Sequence, residues 1–226
     1  MNLVFSWDWL PRLAQGLLLT LELTGLSMAL GAFFGVVLAI LRVYGRGPFY
    51  PLYLLASAYV HFFRGTPLLV QVMAIYYGLP TLGVRFTPFI SGLLALTLNT
   101  AAYQAEYFRG AIQSVRAGQM QAALALGLTR LQAIRYVILP QALRLVIPPW
   151  SNELIYMVKG SAVVYLIGVL ELMGQAKNIA ARTFRNFEVY LVVAMFYLAL
   201  ILLFTLILRW MEKRTRIPGL GVPGRA

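Results

Sequence analysis

Residues 118–140 read GQMQAALALGLTRLQAIRYVILP, and this stretch lies between two long apolar runs of the chain. It is too polar to cross a bilayer, although apolar and small side chains recur in it at helical spacing, at Met120, Ala123, Leu124, Gly127 and Leu128. We therefore expect a short amphipathic helix outside the bilayer, in a polar segment of about residues 114–145.

The composition of the whole chain indicates a membrane protein. Of its 226 residues, 61% are hydrophobic and 12% are charged, and the mean hydropathy is +0.77. Soluble domains are about 45–50% apolar and about 25% charged. A span needs about 20 mostly apolar residues, so this length allows roughly five spans with their loops. We expect one all-α transmembrane domain over residues 1–226.

Five apolar runs are long enough to cross a bilayer, and two of them flank the quoted segment. They cover about residues 13–41, 52–79, 88–112, 146–170 and 189–210. The first run is much longer than the apolar core of a signal peptide, which has about 7–15 residues, so we expect it to be a retained span.

Lysine and arginine are distributed unequally between the two sides of this topology. Of the 19 such residues, the side with the quoted segment carries 12, namely Arg42, Arg46, Arg109, Arg116, Arg130, Arg135, Arg144, Arg209, Lys213, Arg214, Arg216 and Arg225. The other side carries Arg12, Arg85, Lys177, Arg182 and Arg185, while Arg64 and Lys159 lie within or near spans. Cytoplasmic loops are enriched in these residues, so the C-terminus is expected inside and the N-terminus outside. The net charge of +12 then requires no nucleic acid.

The quoted segment resembles the cytoplasmic "EAA" segment of permease subunits of bacterial ABC importers, in the branch that carries polar amino acids. The pattern of two alanines, a glycine and a later Ile-Leu-Pro is filled by Ala122, Ala123, Gly127, Ile138, Leu139 and Pro140. Further matches, from about Gly16 to Arg216, include residues 63–71, Glu106, Arg109, Asn152, Glu153, Lys159 and Glu171.

This resemblance implies the type I importer fold, with about five transmembrane helices and a cytoplasmic coupling helix between the third and the fourth. It implies cytoplasmic ATPase subunits that hold ATP and Mg²⁺, a second permease subunit, an extracytoplasmic amino-acid-binding protein, and residence in the bacterial inner membrane. The chain itself is expected to need no cofactor or metal. The ATPase contact is expected at Gln121, Ala122, Ala123, Gly127 and Pro140.

Two positions depart from the family pattern. Gln121 stands where the family has an acidic residue, which removes one charge from the expected ATPase contact. Gly160 stands where a polar or acidic residue often follows the fourth-span lysine, which disfavours a strongly cationic substrate.

The physical interpretation of the coupling segment agrees with the resemblance. Small residues would let the helix seat in a partner groove, with Ala123 and Gly127 on one face. Gly127 can also end that helix, with Pro140 stopping the next one. The alternative is an amphipathic helix that only lies on lipid.

Polar residues within the spans are candidates for the transport pathway. Glu153 is expected to face the bundle interior or a wet cavity, because an ionised carboxylate is costly in lipid. Helical spacing places Asn152, Tyr156 and Lys159 on one stripe and Glu153, Met157 and Gly160 on the adjacent one. The alternative is a Glu153–Lys159 pair that only fixes helix packing.

The second span should break near Arg64 and Thr66, because Pro67 cannot continue a regular helix. The backbone groups that such a break frees are tolerated where they line a cavity, as in many transporters. The alternative is a simple proline kink with Arg64 extending to an interface.

Other classes of function have less support in the sequence. There is no G-x-x-x-x-G-K-[ST] phosphate loop, so the chain itself is not expected to hydrolyse ATP, and there is no H-E-x-x-H or G-x-S-x-G motif. Two rivals stay open: a secondary transporter or channel driven by an ion gradient, and a membrane scaffold or insertion factor that transports nothing.

Overall fold

The computed structural model describes residues 7–45 and 47–215, and every regular element in this part of the chain is helical. The predicted all-α class is therefore confirmed. Arg46, Arg216 and Arg225, three of the predicted cytoplasmic cations, lie outside the described residues. The α-helices are α1 Leu10–Tyr44, α2 Tyr50–Gly65, α3 Leu68–Met73, α4 Pro88–Ser114, α5 Ala117–Ala125, α6 Arg130–Ala133, α7 Leu139–Leu145, α8 Ile147–Gly160, α9 Leu172–Thr183 and α10 Asn186–Thr215.

Among the described residues, α1 and α10 are the two single helices that are long and apolar enough to span a membrane. A third candidate span is the pair Ile147–Ile167 and Leu172–Thr183, which is bent by 50°. Helix α4 has 27 residues but is less apolar, because it carries Asn99, Thr100 and Gln104. These three side chains are buried inside the molecule. They mark α4 as the central helix of the bundle.

Helix α1 packs very closely on α4. A Cβ added at Gly31 would lie 2.5 Å from Cγ2 of Thr100, and one at Gly35 would lie 2.9 Å from Cβ of Gln104. Only glycine at these two positions leaves room for α4 at so short a distance. Gly25, also on α1, has nothing within 4 Å of its would-be Cβ, so it takes no part in this close approach.

Two predicted spans change helix type along their length. The second is broken at Thr66 and Pro67, as predicted, and continues after α3 as a π-helix, Ala74–Gly78. The fourth continues after α8 as a 3₁₀-helix, Ser161–Ile167, and ends at Gly168, whose φ is +92°. The helical part of the fourth span therefore ends at Ile167, before the predicted end at residue 170.

The cytoplasmic segment corrects two predictions. Gly127 is not on the face of α5, because that helix ends at Ala125 and Gly127 has a φ of +84° just beyond it. Pro140 does not stop the next helix, which runs from Arg130 through a π-turn to Leu145. Leu139 N donates to Ile134 O in that turn, and Pro140 then falls in the first turn of α7, where its missing N–H is tolerated.

Helix α9 was not predicted. Glu171 caps it by accepting hydrogen bonds from the backbone N–H groups of Met173 and Gly174, both at 2.9 Å. The Glu171 carboxylate also accepts from the Thr20 hydroxyl at 3.3 Å and the Tyr197 hydroxyl at 3.2 Å. This fully buried carboxylate therefore ties α9 to α1 and α10.

Candidate functional site

Glu153 lies on α8 and is 3% exposed. Its Oε1 accepts a hydrogen bond from the Thr100 hydroxyl at 2.8 Å, and its Oε2 accepts one from the Tyr107 hydroxyl at 3.2 Å, both from α4. The prediction that this carboxylate faces the bundle interior is confirmed. The alternative Glu153–Lys159 ion pair is not formed, and Lys159 is exposed. Thr100 and Tyr107 are the partners that sequence reasoning missed.

The two predicted stripes of α8 differ in exposure. Asn152, Tyr156 and Lys159 are all exposed, whereas Glu153 and Met157 are buried. At the end of α8, Gly160 is half-buried, and a Cβ added there would lie 3.6 Å from Cδ2 of Leu68, an ordinary contact distance. Helix α8 therefore has an exposed polar face next to the buried Glu153 carboxylate.

The break between α2 and α3 is closed by amide side chains. Gln71 Nε2 donates to Phe63 O at 2.9 Å, to Thr66 O at 3.1 Å and to the Thr66 hydroxyl at 2.8 Å. Asn99 of α4 in turn donates to Gln71 Oε1 at 3.0 Å. The carbonyl groups of Phe63 and Thr66 that the break frees therefore have hydrogen-bond partners within the chain. The sequence had led us to expect such groups in the lining of a cavity.

Arg64, on the last turn of α2, turns towards α4. Its guanidinium lies 3.6 Å from Glu106 Oε1 and 5.4 Å from the centre of the Tyr103 ring. Glu106 also accepts hydrogen bonds from Arg42 of α1 and from Arg109, the latter at 2.6 and 2.9 Å. The sequence had matched Glu106 to the family, but nothing in its spacing indicated three arginine partners from three helices.

We call Arg64, Tyr103, Glu106, Tyr107 and Glu153 the polar belt. Tyr103, Glu106 and Tyr107 lie at three- and four-residue spacing on one face of α4, so that helix carries the belt from α2 to α8. The belt has a cationic end at Arg64 and an anionic end at Glu153. Ionisable groups inside a membrane bundle commonly mark the path of a solute.

The coupling segment presents a different surface. Gln121, Ala122 and Gly127 are exposed, and so is Pro140, whereas Ala123 is 3% exposed and packs within the chain. Leu126 is 83% exposed just after α5. Leu126 is therefore a candidate for the contact surface of the coupling segment.

Within the described residues, no three His, Asp or Glu side chains come together in a way that could hold a metal ion. The belt carboxylates Glu106 and Glu153 instead have arginine, threonine and tyrosine partners. Such a site can recognise a charged or polar group reversibly, through hydrogen bonds and ion pairs.

A helical membrane domain with such a belt is typical of solute-transport proteins. The chain belongs to the family described as "binding-protein-dependent transport system inner membrane component", whose family model matches residues 28–217. It is 39% identical over 213 residues to the glutamine transport system permease protein GlnP of Escherichia coli (strain K12), with 93% of this chain and 96% of that protein covered.

Two further similarities extend over nearly the whole chain. The probable glutamine ABC transporter permease protein GlnM of Bacillus subtilis (strain 168) is 39% identical over 214 residues, with 95% of this chain and 98% of that protein covered. A crystal structure of an amino acid ABC transporter with histidines is 40% identical, with a TM-score of 0.85 over 92% of this chain and 95% of that chain. These matches confirm the ABC importer permease fold and favour the importer over an ion-gradient transporter.

Proposed function

We propose that this chain is the permease subunit through which a polar amino acid enters the cell, driven by separate ATPase subunits. The observation that carries the proposal is the polar belt, with Arg64 at one end and the Glu153 carboxylate at the other. A zwitterionic amino acid needs partners for an ammonium and for a carboxylate when it leaves water. The relatives named for glutamine and amino-acid transport support the same class of cargo.

Glu153 would bind the ammonium group of the cargo. Its hydrogen bond from Tyr107 is longer than the one from Thr100, so the ammonium would replace the Tyr107 hydroxyl and leave the Thr100 contact in place. Asn152 and Tyr156, exposed on the neighbouring stripe, would contact polar parts of the cargo.

Arg64 would bind the carboxylate. The Thr66 hydroxyl at the nearby break already donates to Phe62 O at 2.9 Å, so the Arg64 guanidinium is the better donor for this group. Gly160 places no second carboxylate on the same helix, so a neutral or acidic amino acid fits this site better than arginine or lysine does.

The coupling segment would dock on the ATPase, in which ATP and Mg²⁺ are held. Gln121, Ala122, Gly127 and Pro140 are exposed and available for this contact, together with Leu126. The buried Ala123 would act indirectly, by holding α5 against the rest of the segment.

A second permease subunit, either a copy of this chain or a paralogue, would complete the pathway, and an extracytoplasmic amino-acid-binding protein would deliver the cargo. The charge distribution supports an external N-terminus and a cytoplasmic C-terminus in the inner membrane.

Uptake of labelled L-glutamine into proteoliposomes that hold the full transporter tests this proposal. Removing one member of a buried charge pair costs about 2–5 kcal/mol, so Glu153→Gln should reduce uptake by more than about tenfold. Glu22→Gln is the matched control, because Glu22 is an exposed carboxylate on α1. Unchanged uptake in Glu153→Gln would assign Glu153 to helix packing alone, and uptake without ATP would contradict the importer.

A further inference from the structure

Glu106 is shared by three guanidinium groups from three helices. Arg42 of α1 and Arg109 of α4 make the short contacts, the latter at 2.6 and 2.9 Å, whereas Arg64 of α2 stands at 3.6 Å. These four side chains carry one negative and three positive charges. The carboxylate is therefore overcompensated, and the group as a whole is cationic.

The three arginines differ in how tightly they are held. The Arg42 side chain is 9% exposed and also donates to the Ser57 hydroxyl, and Arg109 also donates to Gln113 Oε1 at 2.7 Å. The Arg64 side chain is 41% exposed, and its close contacts within the described part of the chain are Glu106 and the ring face of Tyr103. Arg64 is thus the most loosely bound and the most accessible of the three.

This arrangement permits an exchange of partners at Arg64. If a carboxylate from outside the chain bound Arg64, Glu106 would keep Arg42 and Arg109 and would not become an unpaired buried charge. The usual penalty for breaking a buried ion pair, an uncompensated charge, is absent here. The Tyr103 ring would hold the guanidinium in place during the exchange, since arginine is attracted to an aromatic face.

We propose that Glu106, fixed by Arg42 and Arg109, is a positioning residue that presents Arg64 to the carboxylate of the cargo, which then replaces Glu106 as the partner of Arg64. This inference rests on the proposed function. The inference also explains charge selectivity. The cationic group formed by Glu106 and its three arginines favours cargo with a free carboxylate and repels cationic side chains.

Direct binding to the purified permease–ATPase complex tests the inference without the selectivity of the binding protein. The probes are labelled L-glutamine and, as a competitor, L-glutaminamide, in which the carboxylate is replaced by a neutral amide. The unaltered complex should prefer the acid by more than about tenfold, the scale of one charge-assisted contact. Arg64→Gln should bring that preference close to one, and Arg64→Lys should keep part of it.

Two further variants complete the experiment. Glu106→Asp keeps the charge with a shorter reach, so it should weaken L-glutamine binding and reduce the acid-over-amide preference, which a purely structural role would leave unchanged. Arg12→Gln removes an exposed guanidinium far along the chain from the belt and should change neither. An intact preference in Arg64→Gln overturns the inference, while failure of every amino acid to bind the unaltered complex overturns the proposed function itself.

Discussion

Replacing Glu171 should destabilise the protein more than any surface substitution would. In Glu171→Ala the N–H groups of Met173 and Gly174 lose their acceptor, and the Tyr197 hydroxyl loses its partner. Loss of a helix cap costs about 0.5–2 kcal/mol, and each buried polar group left unsatisfied costs about 1–3 kcal/mol. Thr20 keeps its bond to Gly16 O, so it adds little.

The expected total is on the order of 4 kcal/mol, which corresponds to a decrease in Tm of roughly 10 °C for a chain of this size. Thermal unfolding of the purified protein in detergent measures it. Glu171→Asp should cost less than Glu171→Ala, because aspartate still caps the helix although it no longer reaches α1 and α10. Glu22→Ala, at an exposed carboxylate, serves as the control. A Tm for Glu171→Ala equal to that of the unaltered chain would refute the role of this carboxylate in joining three helices.

Three other outcomes can be measured. An impermeant thiol reagent applied outside should label a cysteine placed at Ala181 and spare one at Thr215, and the chain has no native cysteine to interfere; the reverse pattern would invert the topology. Leu126→Gln should weaken co-purification with the ATPase while the membrane domain stays folded, and full retention of the ATPase would exclude this surface. Gly31→Val should lower the Tm by several degrees, because its side chain would overlap Thr100; a silent substitution would contradict the close packing of α1 on α4.

The sequence predicted those parts of the fold that depend on local patterns. The long apolar runs gave α1, α4 and α10, and Pro67 gave the break in the second span, because proline lacks the N–H that a helix interior needs. The end of α5 just before Gly127 was predicted as well, since glycine readily adopts a positive φ.

The contacts of the polar belt could not be predicted in the same way. Glu153 binds Thr100 and Tyr107, which lie 53 and 46 residues away, and no periodicity within α8 contains that information. The alternative Glu153–Lys159 pair was inferred from helical spacing, which relates only residues of the same helix. Helix α9 was missed because polar residues interrupt its apolar ones, so it contains no apolar run long enough to indicate a span. Its cap also depends on the burial of Glu171, which only the folded bundle provides.

The break between α2 and α3 has a mechanical consequence. Gln71 bonds across the break, and Asn99 ties Gln71 to α4. Bending at Thr66 would sacrifice these bonds together, each at the cost of a buried polar group without a partner. The break is therefore a rigid joint, and α2, α3 and α4 should move together as one block in any conformational change of the protein.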